Sequence, residues 1–314
     1  MSDKKSKRIL FVGMPDTAYL TLQAVHNAGF NIVGVVSPPE NHPASFAFCS
    51  FAQKLGYTTI TPKKSVKEQA FIKDVAKLNA DLAVVTSYSQ RFPKTLLNAV
   101  KDGFINVHPS LLPEYRGANP YSHVIINNEQ VTGVTIHKMD ETFDTGNILV
   151  QYPMEILQND TMGMLFNKLN RLSCEILVDF LNQYVDSGMP DGIVQTNLSQ
   201  PKNLAFKILP ESEFTRIDWN KSAIELDAKI RGLNPFLPAG TSYKGIPVKI
   251  FSAEVDTKKV NYSPGMVCNL GETIDVSTGD GVLKIRTLQL GSFFIGNARD
   301  FRERVKISLG DSFS

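Results

Sequence analysis

Short apolar runs alternate with stretches of helical spacing along the first hundred residues. The run RILFV leads into the turn GMPDT, then into a stretch with helical periodicity that ends at Gly29, and then into a second run, FNIVGVV. A strand, a helix and a strand in this order predict two parallel strands joined by a crossover helix. Gly29 suits the end of that helix, because glycine readily takes the left-handed backbone that follows many helices.

The same alternation continues to residue 108. It predicts further helices near residues 46–55, 66–78 and 93–100, and further strands at TTIT, LAVVT and FINVH. This repetition is typical of an α/β fold, with a doubly wound, Rossmann-like and mostly parallel sheet between helices.

The pattern changes after residue 131. Two extended runs flank the acidic stretch DETFDTG, and helical spacing returns over residues 161–187. Residues 189–212 are rich in turn formers and resemble a linker, and a helix and short strands separated by Gly, Pro, Asn or Asp follow it. The chain is therefore predicted to hold an α/β domain at 1–188 and a small β-barrel-like domain at 213–314.

Composition narrows the classes of protein that fit. The 314 residues carry a net charge of +2, from 33 Lys and Arg against 31 Asp and Glu, which argues against a DNA-binding protein that depends on bulk charge. Cys49, Cys174 and Cys268 show no disulfide or zinc-site spacing, so no metal is predicted. No apolar run reaches the length of a membrane span or of a signal peptide, and this predicts a cytoplasmic protein without a membrane partner.

Asn106 and His108 end the apolar run FINVH. Two residues apart in a strand, their side chains point to the same face, at the strand end where open α/β sheets bind ligands. An amide donor beside an imidazole suits the stabilisation of a carbonyl oxygen that gains negative charge. The alternative is that His108 has only a structural role, with its ring hydrogen-bonded at the end of the strand.

Asp140, Glu141 and Asp144 form an acidic loop between the two later extended runs. A solvated turn and a metal site are both open interpretations, although no histidine cluster joins the three carboxylates. A carboxylate close to His108 would favour its protonated form, but the spacing of the residues does not show that Asp144 reaches it.

The stretches INVHPSLLPEYRGANP and TGVTIHKMDETFDTGNIL resemble the folate-dependent formyltransferases. The resemblance extends to RIDWNKSAIELDAKIRGLNP and GIPVKIFSAEV, and so covers nearly the whole chain. It implies transfer of a formyl group from 10-formyltetrahydrofolate to a primary amine. By the same resemblance Asn106, His108 and Asp144 are the catalytic residues. Asn106 and a protonated His108 would hold the formyl oxygen, and Asp144 would raise the pKa of His108 and help to remove the amine proton.

The resemblance also implies binding residues. Arg116 and Gly117 match a basic turn that would meet the acceptor. The folate co-substrate would lie between the loop after the fourth strand and the acidic loop, against Tyr88, Ser89, Arg91, Phe92, Ser110, Leu111, Asp140, Glu141 and Thr142.

The acceptor stays open between charged initiator tRNA and an amino-sugar nucleotide. Similarity along the whole chain favours the methionyl-tRNA members of the family. These members typically carry a basic insertion after the second strand, however, whereas SPPENHPASFAFCSFAQKLG has Lys54 as its one Lys or Arg. A C-terminal basic cluster is either an RNA contact or a solvated tail, and it comprises Arg299, Arg302, Arg304 and Lys306. Two other classes are a hydrolase that releases formate and a non-catalytic binding module.

Overall fold

The computed structural model describes residues 4–292 and 294–314. Its helices are α1 (Pro15–Asn27), α2 (Ser45–Lys54), α3 (Gln69–Lys77), α4 (Lys94–Leu97), α5 (Pro120–Ile126), α6 (Met162–Ser187), α7 (Ala223–Leu233) and α8 (Ala298–Val305). Its strands are β1 (Arg8–Gly13), β2 (Asn31–Val36), β3 (Thr59–Ile60), β4 (Leu82–Thr86), β5 (Phe104–His108), β6 (Arg116–Gly117), β7 (Val131–Lys138), β8 (Ile148–Glu155), β9 (Leu204–Ala205), β10 (Ala239–Tyr243), β11 (Ile246–Asp256), β12 (Val267–Leu270), β13 (Ile274–Ser277), β14 (Val282–Leu290) and β15 (Phe294–Asn297).

Two compact units divide the chain, and both are discontinuous in sequence. The first comprises Met1–Gly117, Val131–Glu155 and Asn167–Ala205. The second comprises Ala118–Gln130, Ile156–Phe166 and Phe206–Ser314. Most of the predicted linker, up to residue 205, therefore packs within the first unit. The domain boundaries at residues 188 and 213 stay a prediction, because a compact unit need not fold alone.

The first unit is built on a seven-stranded sheet in the order β3-β2-β1-β4-β5-β7-β8. The first five strands are parallel, and β7 runs antiparallel to both β5 and β8. This confirms the predicted mostly parallel, Rossmann-like sheet. Every residue of β4 is buried, as expected of a strand covered on both faces. The chain reverses its direction of travel across the sheet between β1 and β4, and such a reversal leaves a crevice at the carboxyl ends of the strands.

Local sequence explains where two elements of the first unit begin and end. Helix α1 ends at a cap formed by Ala28, and Gly29 follows with φ +81°, as the glycine predicted. Strand β5 begins at Phe104, whose ring is 1% exposed and packs edge-on against Phe92 at 5.3 Å between centroids. The start of β5 is thus fixed in the core, and its polar end projects toward the crevice.

The second unit holds α5, α7, α8 and an antiparallel sheet in the order β10-β11-β14-β13-β12, with β15 paired to β14. Residues Ser312 and Phe313 form bridges to Met266 and Tyr243, which stand at the two ends of that order. These bridges close the sheet on itself, in keeping with the predicted barrel-like domain. Its core includes Trp219 and the residues of α7 that face the sheet.

Cys49, Cys174 and Cys268 are free thiols. Within the two described ranges, no group of three or more His, Cys, Asp or Glu side chains is arranged to hold a metal ion. Across the same residues, no helix combines the length and the apolar character that crossing a membrane requires.

Candidate active site

The polar end of β5 presents its two candidate side chains to one carboxylate. Asp144 Oδ1 lies 3.2 Å from Asn106 Nδ2 and 3.6 Å from His108 Nδ1. The alternation of side chains along a strand therefore places Asn106 and His108 on one face, as predicted. The contact with Asp144, which the sequence did not show, joins the three candidate catalytic residues in one cluster.

Asp144 is held by its backbone neighbours as well as by these side chains. Its Oδ2 atom accepts a hydrogen bond of 2.9 Å from the backbone N–H of Gly117. Its backbone has φ +58°, in the left-handed region, which costs a residue other than glycine about 1 kcal/mol. Such a conformation persists where surrounding contacts determine it, and this is common at functional sites.

His137 is a further member of the cluster that the sequence did not assign to the site. It lies opposite Asn106 in the β5–β7 pairing and is 1% exposed. Its Nδ1 is 2.9 Å from the carbonyl oxygen of Lys138, so Nδ1 donates and Nε2 of the neutral ring accepts. That Nε2 atom lies 3.2 Å from Asn106 Nδ2. Both N–H bonds of the Asn106 amide thus have acceptors, Asp144 and His137.

The burial of His108 bears on its protonation. Burial lowers the pKa of His108, which is 4% exposed, and the nearby Asp144 carboxylate raises it by less. The pKa therefore lies below its ordinary value, which disfavours the protonated form that the sequence suggested. Its Nε2 is 2.9 Å from the carbonyl oxygen of Tyr115 and must donate to it, so Nδ1 carries the lone pair.

Asp144 carries the negative charge of the cluster. Burial raises the pKa of Asp144, but the imidazolium that His108 can form and the hydrogen bond from the Gly117 N–H hold it well below its usual range. An ionised carboxylate beside a neutral imidazole is an arrangement that can accept a proton at His108 Nδ1 and stabilise the imidazolium that forms.

The acidic loop is organised by Asp140. Its carboxylate accepts hydrogen bonds from the Thr142 backbone N–H at 2.9 Å, from the Thr142 hydroxyl at 2.8 Å and from the Thr145 hydroxyl at 2.7 Å. Asp140 and Thr142 thus shape the turn that carries Asp144, whereas the side chain of Glu141 is exposed.

The basic turn at Arg116 contains a second contact that sequence reasoning missed. The Arg116 guanidinium donates to the side-chain amide oxygen of Gln195. Gln195 lies in the predicted linker, in a stretch without hydrophobic periodicity, so no pattern in the sequence marked it.

Comparison with known proteins decides the family. The family described as Formyl transferase matches residues 7–181, and the one described as Formyl transferase, C-terminal domain, matches residues 210–305. The chain belongs to the formyltransferase family. Methionyl-tRNA formyltransferase of Lachnospira eligens is 34% identical over 312 residues, which cover 92% of this chain and 96% of the relative. The protein of the same name from Caldicellulosiruptor saccharolyticus is 34% identical over 316 residues, covering 98% and 99%.

A solved formyltransferase shows the same fold. The N-formyltransferase from Helicobacter canadensis, solved in complex with folinic acid and dTDP-3-aminofucose, matches with a TM-score of 0.65 and 22% identity. The match covers 88% of this chain and 97% of that one. The resemblance found in the sequence is therefore confirmed. As a formyltransferase, the protein uses 10-formyltetrahydrofolate as co-substrate and transfers its formyl group to a primary amine.

A pocket of about 580 Å³ borders the start of the acidic loop. It lies between α4, the residues just before β5 and the start of the acidic loop, and it has an apolar wall that includes Leu97, Phe104 and Met139. Its volume is in the range of small-molecule sites. Asp140 and Glu141, both predicted folate contacts, line it, whereas the Asn106–His108–Asp144 cluster does not.

The predicted folate-binding loop after β4 reaches the acidic loop of this formyltransferase. The Arg91 guanidinium lies over the ring of Phe143, at 5.2 Å from its centroid, in a cation–π contact. Arg91 and its neighbour Ser89 are exposed. The two predicted walls of the folate site are thus joined at their outer edge.

Other predicted folate residues serve the structure of the loops. Tyr88 donates its hydroxyl to the carbonyl oxygen of Ser37 at 3.1 Å, and burial raises its pKa well above the usual range. The ring of Phe92 is 3% exposed and belongs to the core, so this residue has its backbone to offer a ligand.

The loop after β5 is also tied internally. Ser110 is fully buried, and its hydroxyl donates to the carbonyl oxygen of Glu114 at 2.7 Å. Its own carbonyl oxygen accepts from the Thr135 hydroxyl at 2.6 Å. Leu111 is partly exposed beside it, so the contribution of this loop to a folate site would come from Leu111 and from backbone groups.

Proposed function

We propose that the formyl acceptor is the amino group of methionyl-tRNA. The observation that carries this proposal is the 34% identity to methionyl-tRNA formyltransferases over 92–98% of the chain, through both matched families. Similarity that includes the C-terminal part supports a shared acceptor more strongly than similarity of the catalytic part would.

His108 is proposed as the base of the reaction. As the acceptor nitrogen bonds to the formyl carbon, it must lose a proton. Neutral His108 takes this proton at Nδ1, and Asp144 Oδ1, at 3.6 Å, stabilises the resulting imidazolium. The bond between the formyl carbon and the co-substrate nitrogen then breaks, and the imidazolium returns the proton to that leaving nitrogen. This role replaces the protonated histidine that the sequence suggested, because burial disfavours the charged form before the reaction.

Asn106 is proposed to stabilise the charge that develops on the formyl oxygen. One of its N–H bonds must then turn from Asp144 or His137 toward that oxygen. The turn requires little movement, since the amide is already held at the end of β5. A charged acceptor oxygen forms a stronger hydrogen bond than a neutral imidazole nitrogen does, which favours replacing His137.

An amino-sugar nucleotide is the second candidate acceptor. The segment after β2, residues 37–53, which includes most of α2, contains no lysine or arginine. It is also tied down, because the Ser45 hydroxyl donates to the Pro38 carbonyl at 2.9 Å and the Glu40 N–H donates to the Pro62 carbonyl at 3.0 Å. A short, tethered segment without lysine or arginine gives a tRNA phosphate little to contact, and therefore favours a small acceptor.

The C-terminal basic cluster, in contrast, supports an RNA acceptor. Arg299 pairs with Glu303 at 3.5 Å, Arg302 donates to the Gly271 carbonyl, and Arg304 lies 4.3 Å from the ring centroid of Phe294. These contacts hold the guanidinium groups in place on α8 and β15. Arg116 and Gly117 remain the proposed acceptor contacts within the first unit.

The deciding experiment compares acceptors. Purified protein and 10-formyltetrahydrofolate are incubated with methionyl initiator tRNA, with a panel of amino-sugar nucleotides, or without acceptor, and formylated product and free formate are measured. The proposal expects formylmethionyl-tRNA at a rate that falls with added salt. A formylated sugar nucleotide alone would favour the second candidate, and equal formate release with and without acceptor would indicate a hydrolase. We propose a cytoplasmic location, consistent with three free thiols.

A further inference from the structure

Gln195 makes four hydrogen bonds from a single buried amide. It stands at the start of a 3-10 turn (Gln195–Asn197) and is 3% exposed. Its Nε2 lies 2.6 Å from the carbonyl oxygen of Gly146 and 3.0 Å from that of Asp144. Its Oε1 lies 3.1 Å from Nε and 2.5 Å from Nη2 of Arg116. Carbonyls accept and a guanidinium donates, so these partners fix the orientation of the amide.

We propose that Gln195 is a positioning residue that holds the Asp144 carboxylate and the Arg116 guanidinium in one fixed arrangement. The proposal rests on the roles given above to Asp144 as the partner of His108 and to Arg116 as an acceptor contact. Gln195 does not line the pocket beside the acidic loop, and it acts through these two residues.

The contacts on the acidic loop fix the turn that carries Asp144. Asp144 has a left-handed backbone, which a residue other than glycine adopts where other contacts enforce it. Gln195 binds the carbonyl of Asp144 itself and the carbonyl two residues later, so it holds the chain on both sides of Thr145. The Gly117 N–H holds the carboxylate from another direction. Without Gln195 the backbone of the turn would lose two of its donors.

The contact on Arg116 links the same amide to the proposed acceptor side. Two nitrogen atoms on one edge of the guanidinium converge on Gln195 Oε1, which sets the plane of the group. Arg116 also precedes Gly117, whose N–H binds Asp144. Gln195 therefore connects Arg116, the proposed acceptor contact, with the turn that carries the Asp144 carboxylate.

Two substitutions separate these contacts. Gln195→Glu keeps an oxygen for Arg116 but loses both donors to the carbonyls of Asp144 and Gly146. We expect kcat to fall about 10- to 100-fold, since small misplacements of catalytic groups have effects of this size, while the acceptor KM stays within about twofold. Gln195→Met loses every contact, and we expect the same fall in kcat together with a rise of about tenfold in the acceptor KM.

Asn147→Ala is the matched control. Its side-chain amide donates to the carbonyl oxygen of Asp191 at 3.3 Å, and so also ties the segment before Gln195 to the end of the acidic loop. This variant leaves the contacts of Gln195 intact, and its kcat and KM should equal those of the wild type. A loss of activity in Asn147→Ala as large as in Gln195→Met would mean that any loosening of the segment suffices, and would overturn the specific role.

The titration of His108, followed by NMR, provides a readout independent of turnover. His108 faces Asp144 and His137, and Asp144 raises its pKa, so displacement of the carboxylate should lower that pKa further in Gln195→Met, which adds no charge. If Gln195→Glu leaves both kcat and the pKa of His108 unchanged, the proposal is overturned. This outcome decides the matter even where Gln195→Met fails to fold. If the wild type formylates no amine, the proposed function fails, while the titration still tests Gln195.

Discussion

A methyl group at Gly146 should displace the loop that carries Asp144. A Cβ atom on Gly146 would lie 2.8 Å from the carbonyl carbon of Lys138, and closer still to its oxygen. Ordinary contact begins at 3.4 Å, so the two backbone segments must separate by at least 0.6 Å. A misplacement of 1 Å can reduce catalysis about 100-fold, and we therefore expect kcat of Gly146→Ala to fall about 10- to 100-fold.

The assay is steady-state formyl transfer from 10-formyltetrahydrofolate, with thermal unfolding measured on the same samples. Gly240→Ala is the control, because a Cβ on Gly240 would have no atom within 4 Å and its backbone does not require glycine. The control should retain wild-type kcat. A folded Gly146→Ala variant with wild-type kcat would refute the reasoning that a rigid loop presents Asp144 to His108.

Four further predictions concern ionisation, packing and the acceptor. His108 should titrate below pH 6.5 in NMR, and Asp144→Asn should lower its pKa further, because the carboxylate raises it; a pKa above 6.5 would contradict this. The unfolded chain protonates this residue near pH 6.5 and the folded chain at lower pH, so the free energy of unfolding should fall as pH drops below about 6.5, which urea titrations can measure. Phe104→Ala should lower the free energy of unfolding by about 3–5 kcal/mol, measured in urea, since it removes a ring that is 1% exposed. The KM for methionyl-tRNA should rise with ionic strength and rise again in Arg302→Ala, whereas a KM insensitive to salt would argue against an RNA acceptor.

Local sequence patterns predicted the strands and helices of the catalytic unit, because the burial of an element determines which residue types it contains. Strands such as LAVVT are covered on both faces and are therefore continuous apolar runs. The two-residue period of a strand was enough to place Asn106 and His108 on one face. Gly29 marked the end of α1 because its backbone has φ +81°.

Contacts between residues that are distant in sequence produced no such local pattern. The approach of Asp144 to His108 depends on the antiparallel pairing of β5 with β7 and on the turn shaped by Asp140. Gln195 lies in a stretch rich in turn formers, and its role follows from three partners that are 49 to 79 residues away. The lowered pKa of His108 was not anticipated, because residue types reveal a charged neighbour more readily than they reveal full burial.

Helices α5 and α8 were also missed. Helix α5 is short and begins with Pro120 after Asn119, in a sequence that resembles a loop. Helix α8 contains three arginines among eight residues and buries Ala298 and Phe301, so its apolar face is too narrow to stand out by periodicity. Both helices belong to the second unit, and packing within that unit stabilises them more than their own sequence patterns do.

The most direct test of the account is formyl transfer by wild-type protein and by His108→Ala, each with 10-formyltetrahydrofolate and methionyl initiator tRNA. We predict acceptor-dependent formation of formylmethionyl-tRNA by the wild type, and a rate at least about 100-fold lower in the folded variant, because it lacks the base at Nδ1. Full acceptor-dependent turnover in His108→Ala would contradict the claim that the Asn106–His108–Asp144 cluster carries out the reaction.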